Sequence, residues 1–192
     1  MRSIFVVGLC LLMMMPAAQA IPTRDFQADE GAIRACMDAV AKADLDRTLH
    51  RRQSDGPKPV FTDCIGKEET RCLETTEHDE YESFRRSICA GAEAKIWNSL
   101  MESAYDALRA QLTECDRKRC TVFPGTVEYE PVEPALEQLH EAWLAAKDRH
   151  CELVRIQAGS GTDRIDAPVR CARDEDAQRT YLYRQWLRWG IH

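Results

Sequence analysis

The chain has 192 residues, 44% apolar and 30% charged, with 26 basic and 32 acidic side chains. That balance supports one ordinary domain with a packed core and excludes an extensively disordered chain. Nine glycines and eight prolines exclude collagen-like and low-complexity architectures, and beyond the N-terminus no apolar run reaches the roughly 18–20 residues of a membrane helix.

Residues 1–20 read as a cleaved secretory signal. Arg2 is a minimal basic start, Ile4–Met15 is apolar, Pro16 breaks the run, and Ala18-Gln19-Ala20 is a small-x-small cleavage site. The apolar core is too short to remain as an anchor. Cys10 follows Leu9 inside it, which is no lipid-attachment motif. Cleavage removes Arg2 and Cys10, leaving 25 basic against 32 acidic residues, net −7, and eight cysteines. An even cysteine count in an exported chain points to a disulfide framework. There is no C-x-x-C, and the histidines at 50, 78, 140, 150 and 192 lack ligand spacing. No metal and no cofactor is therefore expected.

Helical periodicity dominates the remaining 21–192. A first helix starts near Asp29, with Ala32, Ile33, Cys36, Met37 and Val40 on one stripe, and the Asp55–Pro59 turn ends that region. A second is expected over Thr62–Thr75. A third covers Glu80–Cys115, with Phe84, Ile88, Ala92, Ile96, Leu100, Ala104, Ala107 and Leu108 inward, widened by Trp97, Met101 and Tyr105. Thr121–Tyr129 is the only β-leaning stretch, and Pro124-Gly125 interrupts it. A fourth helix covers Pro134–Gln157. Its stripe of Leu136, Leu139, Trp143, Ala146, His150 and Leu153 has the spacing of helix-on-helix packing. A fifth covers Ala172–Trp189, using Arg179, Leu182, Tyr183, Trp186 and Leu187. The fold class is all-α: a single domain of antiparallel helical hairpins stapled by about four disulfides.

Hairpin symmetry suggests the pairing. Cys151 and Cys171 are centred on Gly161, Cys36 and Cys72 on position 54, and Cys64 and Cys89 near His78-Asp79. On one helix Cys64 and Cys72 would stand about 12 Å apart and could not bond each other. Cys115 and Cys120 remain. Eight cysteines allow 105 connectivities, and this one is the first choice. In the chain-entropy description each closed loop contributes about 2–4 kcal/mol.

Catalytic patterns are weak. A Cys/His nucleophile needs a free thiol, glycoside hydrolysis needs two marked carboxylates, and no glycine-rich phosphate loop is present. The net charge argues against nucleic-acid binding, and Arg117-Lys118-Arg119 reads as a helix C-terminal cluster. Trp143, Lys147, Asp148 and Cys151 share one face, read as a buried tryptophan with a stem-packed lysine closing a hairpin. Glu93, four residues before Trp97, is expected to bond across to a neighbouring helix. Residues 61–82 hold eight acids (Asp63, Glu68, Glu69, Glu74, Glu77, Asp79, Glu80 and Glu82) against two bases. Five more acids run from Glu128 to Glu141 without a base. Such patches are solvated faces or steer a cationic partner. The segment 159–166 is the best candidate recognition loop.

From Leu136 to Leu187 the order is L-x-x-L-x-x-x-W-x-x-x-K-D-x-x-C, a Gly/Ser loop, then C-x7-R-x-x-L. It carries Trp143, Asp148, Cys151, Gly159, Cys171, Arg179 and Leu182. Upstream stand Cys89-x3-Glu93-x3-Trp97-Asn98, Leu100 and Tyr105, and before them Cys64-x-Gly66 and Cys72. Over roughly 33–187 this order resembles the LprI-like lysozyme-inhibitor family. His140 stands where the family often has Gln, and Lys147 where Arg is usual. The resemblance implies an exported, periplasmic or secreted, helical, cysteine-stapled binding protein of the bacterial envelope, not an enzyme. It implies cationic lysozyme, c-type first, as a partner; the net charge argues against nucleic acid, and the signal lacks a lipid-attachment motif, so no stable membrane anchor is expected. Ser160, Asp163, Arg164 and Asp166 are the expected partner-binding residues, Arg164 approaching carboxylates. Glu93, Trp97, Tyr105, Trp143, Asp148 and Arg179 are the structural motif. An envelope interaction module without lysozyme activity is the alternative, with Trp186 and Trp189 as candidate contact residues. A peptidoglycan hydrolase is the third reading.

Overall fold

The computed structural model describes residues 20–50, 60–77, 81–118 and 131–189. Among these residues there are five α-helices: α1 Glu30–His50, α2 Lys67–Thr75, α3 Glu82–Lys118, α4 Glu133–Gln157 and α5 Asp163–Trp189. Two 3₁₀ turns, Thr23–Asp25 and Phe61–Cys64, precede α1 and α2. The all-α class is as expected. The signal segment up to residue 19, the Asp55–Pro59 and His78-Asp79 turns, Thr121–Tyr129 and Cys120 lie outside the described residues.

α3 and α5 form the most extensive interface and run parallel. Arg86 meets Asp163 near both N-termini, Thr180 Oγ1 donates to the Trp97 carbonyl, and the Tyr105 and Tyr183 rings meet further along. α4 runs antiparallel to both. Arg109 on α3 bonds Glu133 at its start, and Cys151 bonds Cys171 near its end. α1 covers the other side, where Ile33, Met37 and Val40 pack with Trp97, Leu100 and Ala177. Asp29 caps α1, accepting from the Ala32 amide at 3.2 Å.

The stripe of α1 and the second half of the α3 stripe are largely buried as expected, but at the start of α3 and along α4 and α5 the buried face differs from the apolar stripe. On α3 the inward residues near the start are Arg85, Cys89, Glu93 and Trp97; Phe84, one residue away, is 55% exposed. On α4 the buried face contains Leu136, Trp143 and Cys151, with His140 and Lys147 partly covered. Leu139, Ala146, His150 and Leu153, expected inside, are exposed. α5 begins at Asp163, nine residues before the expected start, and carries Pro168 inside its second turn. Its inward face is Asp166, Arg173, Asp176, Ala177, Thr180 and Tyr183, mostly polar. Trp186 is half-buried against Tyr183, in keeping with its place on the helix stripe and against its use as a contact residue. In α3, α4 and α5 a buried ion or hydrogen-bond partner takes a position that hydrophobicity assigns elsewhere.

Two expected disulfides are corrected. The bonds are Cys36–Cys64, Cys72–Cys89 and Cys151–Cys171, so Cys36–Cys72 and Cys64–Cys89 do not form. The cause is Gly66, whose φ of 82° is the left-handed geometry that favours glycine. It separates the turn holding Cys64 from α2, which holds Cys72. The continuous Thr62–Thr75 helix behind the symmetry argument is therefore absent.

α2 is fixed at both ends by α3. Gly66 has no side chain to cap α2, so Glu93 serves the two amides of a capping box. Its carboxylate accepts from Gly66 N at 2.7 Å and from Glu69 N at 2.8 Å. At the other end the buried Arg85 guanidinium donates to the Leu73 and Thr76 carbonyls. An anion at the N-terminus and a cation at the C-terminus both match the helix dipole. Arg85 and Glu93 are eight residues apart on α3, about 12 Å, close to the length of a nine-residue helix. Glu93→Gln presents an amide donor to amides that need acceptors. It is expected to cost about 2–3 kcal/mol in urea unfolding of the oxidised protein. A loss below about 0.5 kcal/mol would show that α2 does not depend on this cap.

Candidate protein-recognition surface

The turn between α4 and α5 is built by one special backbone position. Gly159 adopts φ 66°, and its amide bonds the Ile156 carbonyl at 3.0 Å, ending α4. Arg164 N then bonds Gly161 O at 3.2 Å and Ile165 N bonds Thr162 O at 3.2 Å, starting α5. The Cys151–Cys171 bond ties the two helices together, with Cα atoms 5.4 Å apart. This is the expected pairing. The tip is thus a short turn on two cross-linked helices.

Ser160, Asp163 and Arg164 are exposed at this tip, as is Ile165. Asp163 and Arg164 stand on the first turn of α5 rather than on a loop. Asp163 Oδ1 accepts from Arg86 at 3.1 Å, which orients the tip against α3. Asp166 is placed differently from the other three. It is 1% exposed and forms ion pairs with Arg86 at 3.3 Å and Arg170 at 3.5 Å. It faces inward and has no surface to offer a partner.

Asp166 begins a buried ionic seam that the apolar patterning missed. Glu69 on α2 is held by Arg170 and Arg173 on α5, and Arg173 also reaches Asp174 at 2.8 Å. The signal available was Asp166, Arg170, Arg173, Ala177 and Thr180, recurring at helical spacing on α5. A polar stripe with helical periodicity marks a buried charged face as well as a solvated one. This seam also reduces the acidic patch of residues 61–82. Glu69 is neutralised there, and Glu68 is buried, accepting from Arg71 and from the Asp29 amide. Asp63, Glu74, Glu77 and Glu82 remain exposed. Of the later acids, Glu133 and Glu137 pair with Arg109, and Glu141 is exposed.

Five of the six motif residues are structural in placement. Glu93 and Trp97 are fully buried, and the Trp97 indole N–H donates to Glu93 at 2.9 Å. Glu93 thus bonds across to a neighbouring helix, as expected. Trp143 is buried, with the Arg179 guanidinium 4.6 Å and the Lys147 ammonium 5.1 Å from its ring centre. Tyr105 stacks on His140 at 3.9 Å between centroids. Asp148 is exposed and outside this group. Lys147 meets the buried Asp176 at 2.8 Å, closing the α4–α5 hairpin as the sequence suggested. Burial pushes the Asp176 carboxyl up, against the opposing pull of Lys147 and a hydrogen bond from Asn98. His150 Nδ1 lies 2.8 Å from Glu175 and 3.9 Å from Cys171 Sγ, whose own bond is to Cys151.

His140 is the titrating centre of the α3–α4–α5 seam. Its Nδ1 lies 2.9 Å from the Tyr183 hydroxyl. Burial pushes its pKa below the ordinary histidine range, and Arg179 and Lys147 push the same way against Asp106 and Glu102. The neutral ring is the native form. The unfolded chain binds a proton near pH 6.5 and the folded chain only at lower pH. This contribution is therefore full above about pH 6.5 and is lost as pH falls through the folded pKa. His140→Gln cannot titrate, so its melting temperature should fall less than that of the unmodified protein from about pH 7.5 to about pH 5. Equal losses would remove His140 as the source.

A family model described as lysozyme inhibitor LprI matches residues 72–182. No curated protein and no solved structure matches the chain. The matched span opens at Cys72 on α2 and closes at Leu182 on α5. It holds the Glu93–Trp97 pair, the Tyr105–Trp143–Arg179 group and the disulfide-tied hairpin tip, and leaves out Cys36, Cys64 and Gly66. That span is more than half of the 192 residues, and the chain belongs to the LprI lysozyme-inhibitor family.

Proposed function

We propose that this chain is an exported, non-catalytic protein that binds and inhibits lysozyme, c-type first, by occluding its cleft. The reading rests on the family membership, and the hairpin tip is the surface we assign to it. A convex, cross-linked tip loses little conformational entropy on binding. Arg164, exposed there, has the planar donor set that pairs with carboxylates, and the lysozyme cleft carries an acidic catalytic pair. Ser160 supplies a hydroxyl beside it, and Ile165 (47% exposed) supplies apolar area. Asp163 is the positioning residue through Arg86; Asp166 contributes only through the seam below.

The excess of acid contributes to encounter rather than to the bound contact. Cationic lysozyme would be drawn toward the exposed Asp63, Glu74, Glu77, Glu82 and Glu141, an effect that salt screens beyond about 10 Å at 0.1 M. The domain boundaries follow the sequence reading: export signal to about residue 20, then one helical domain to residue 192.

Lysis of cell-wall suspensions by c-type lysozyme should slow with increasing oxidised protein. Arg164→Glu should weaken that protection about tenfold or more, converting one attractive charge contact into a repulsive one. The melting temperature should be unchanged, because Arg164 is exposed. Protection that survives Arg164→Glu and Ser160→Trp together would move the inhibitory surface off the tip. No protection at large molar excess would overturn the inhibitor reading and leave an envelope interaction module.

A further inference from the structure

α4 carries a second apolar face that the monomer leaves open. Ala135, Leu139, Ala142, Ala146, Leu153 and Ile156 are all exposed, and Leu139, Leu153 and Ile156 are 44%, 51% and 58% accessible. With Arg149 they recur at spacings of four and three over the length of the helix. That is the seam spacing of paired helices, not of a solvated face. The centre of this face lies about 120° around the axis from the centre of the inward face of Leu136, His140, Trp143 and Lys147, at 100° per residue. The two faces are thus independent.

We propose that this face pairs with the same face of a second copy, α4 against α4, antiparallel about Ala146. The occupant is fixed by self-complementarity in size and charge. About that centre Leu139 lies opposite the partner's Leu153, Ala135 comes within one residue of the partner's Ile156, and the small Ala146 meets its own copy and lets the helices approach. Arg149 comes beside the partner's Glu141, and the symmetry axis makes the contact twice, as an isologous interface requires. Neither Arg149 nor Glu141 has an ion-pair partner among the described residues, and both are exposed. A parallel pair would instead set Arg149 against its own copy, so charge selects the antiparallel arrangement. One helix pair is a small interface, so the affinity belongs to the weak, micromolar class. The two hairpin tips then point to opposite ends of the dimer. The inference does not rest on the lysozyme reading.

The test is sedimentation velocity of the oxidised mature protein up to about 200 µM. A monomer–dimer equilibrium is expected. Leu139→Glu with Leu153→Glu should leave only monomer, with helical content and melting temperature retained because both sites are exposed. Arg149→Glu should weaken dimerisation about tenfold or more, and adding Glu141→Arg should restore it. A chain that stays monomeric throughout the range overturns the proposal, as does a dimer untouched by the double leucine variant. A dimer lost with the leucines but indifferent to the charge exchange overturns the antiparallel arrangement. If the double leucine variant loses its helical signal, the charge exchange alone decides.

Discussion

Glu93 accepts three hydrogen bonds at a position with no accessible surface: from the Gly66 amide, the Glu69 amide and the Trp97 indole. A buried carboxylate with unmet acceptors is costly, and one that meets three fixed donors specifies their arrangement. The start of α2, the rotamer of the central tryptophan and the register of α3 are set by this one group. Arg85 repeats the logic at the far end of α2, and between them Cys72–Cys89 closes the same face of α3. The polar bonds and the disulfide impose one geometry on a helix of nine residues, which is too short to be stable alone.

That constraint propagates outward through charge. With α2 fixed, Glu69 projects toward α5 and meets Arg170 and Arg173. The Arg173 guanidinium passes beside Gly66, where a Cβ would meet it at 3.6 Å in ordinary contact, so glycine is favoured there by its φ of 82° and not by space. Farther along the same face Asp166 meets Arg86, and Arg86 holds Asp163 at the hairpin tip. A chain of ion pairs thus runs from the cap of α2 to the exposed turn. Buried pairs of this kind add little net stability over an apolar core, but breaking one leaves a stranded charge. Their contribution is to position, and the tip is what they position.

The all-helical class was legible because apolar residues recur at helical spacing through α1, α3 and α4 and strand alternation is nearly absent. Cys151–Cys171 was legible because a Gly-Ser-Gly turn sits midway between two helical runs. The inward face of α3 was misplaced by one residue because Arg85 and Glu93 occupy positions that hydrophobicity gives to Phe84 and Ala92. The start of α5 was hidden by Pro168 and by a polar inward face. The pairing of Cys36, Cys64, Cys72 and Cys89 failed on a single φ angle at Gly66. Within the site, Ser160 and Arg164 were found as exposed residues because glycine-rich turns are exposed. Asp166 was taken for a loop residue because sequence alone does not tell a carboxylate facing solvent from one facing Arg86.

The same reasoning explains why α4 was assigned the wrong stripe. A helix with apolar residues at 136, 139, 143, 146, 150 and 153 offers more than one face that could turn inward, and hydrophobicity alone does not rank them. What ranks them is the partner. Tyr183 offers a hydroxyl to His140, Asp176 a carboxylate to Lys147, and Cys171 a sulfur to Cys151. α5 therefore selects the face carrying His140, Lys147 and Cys151, and Leu139 and Leu153 are turned outward. Polar complementarity chose the interior, and the apolar residues it displaced form a continuous row. Exposed apolar residues aligned along one helix in this way mark a protein contact.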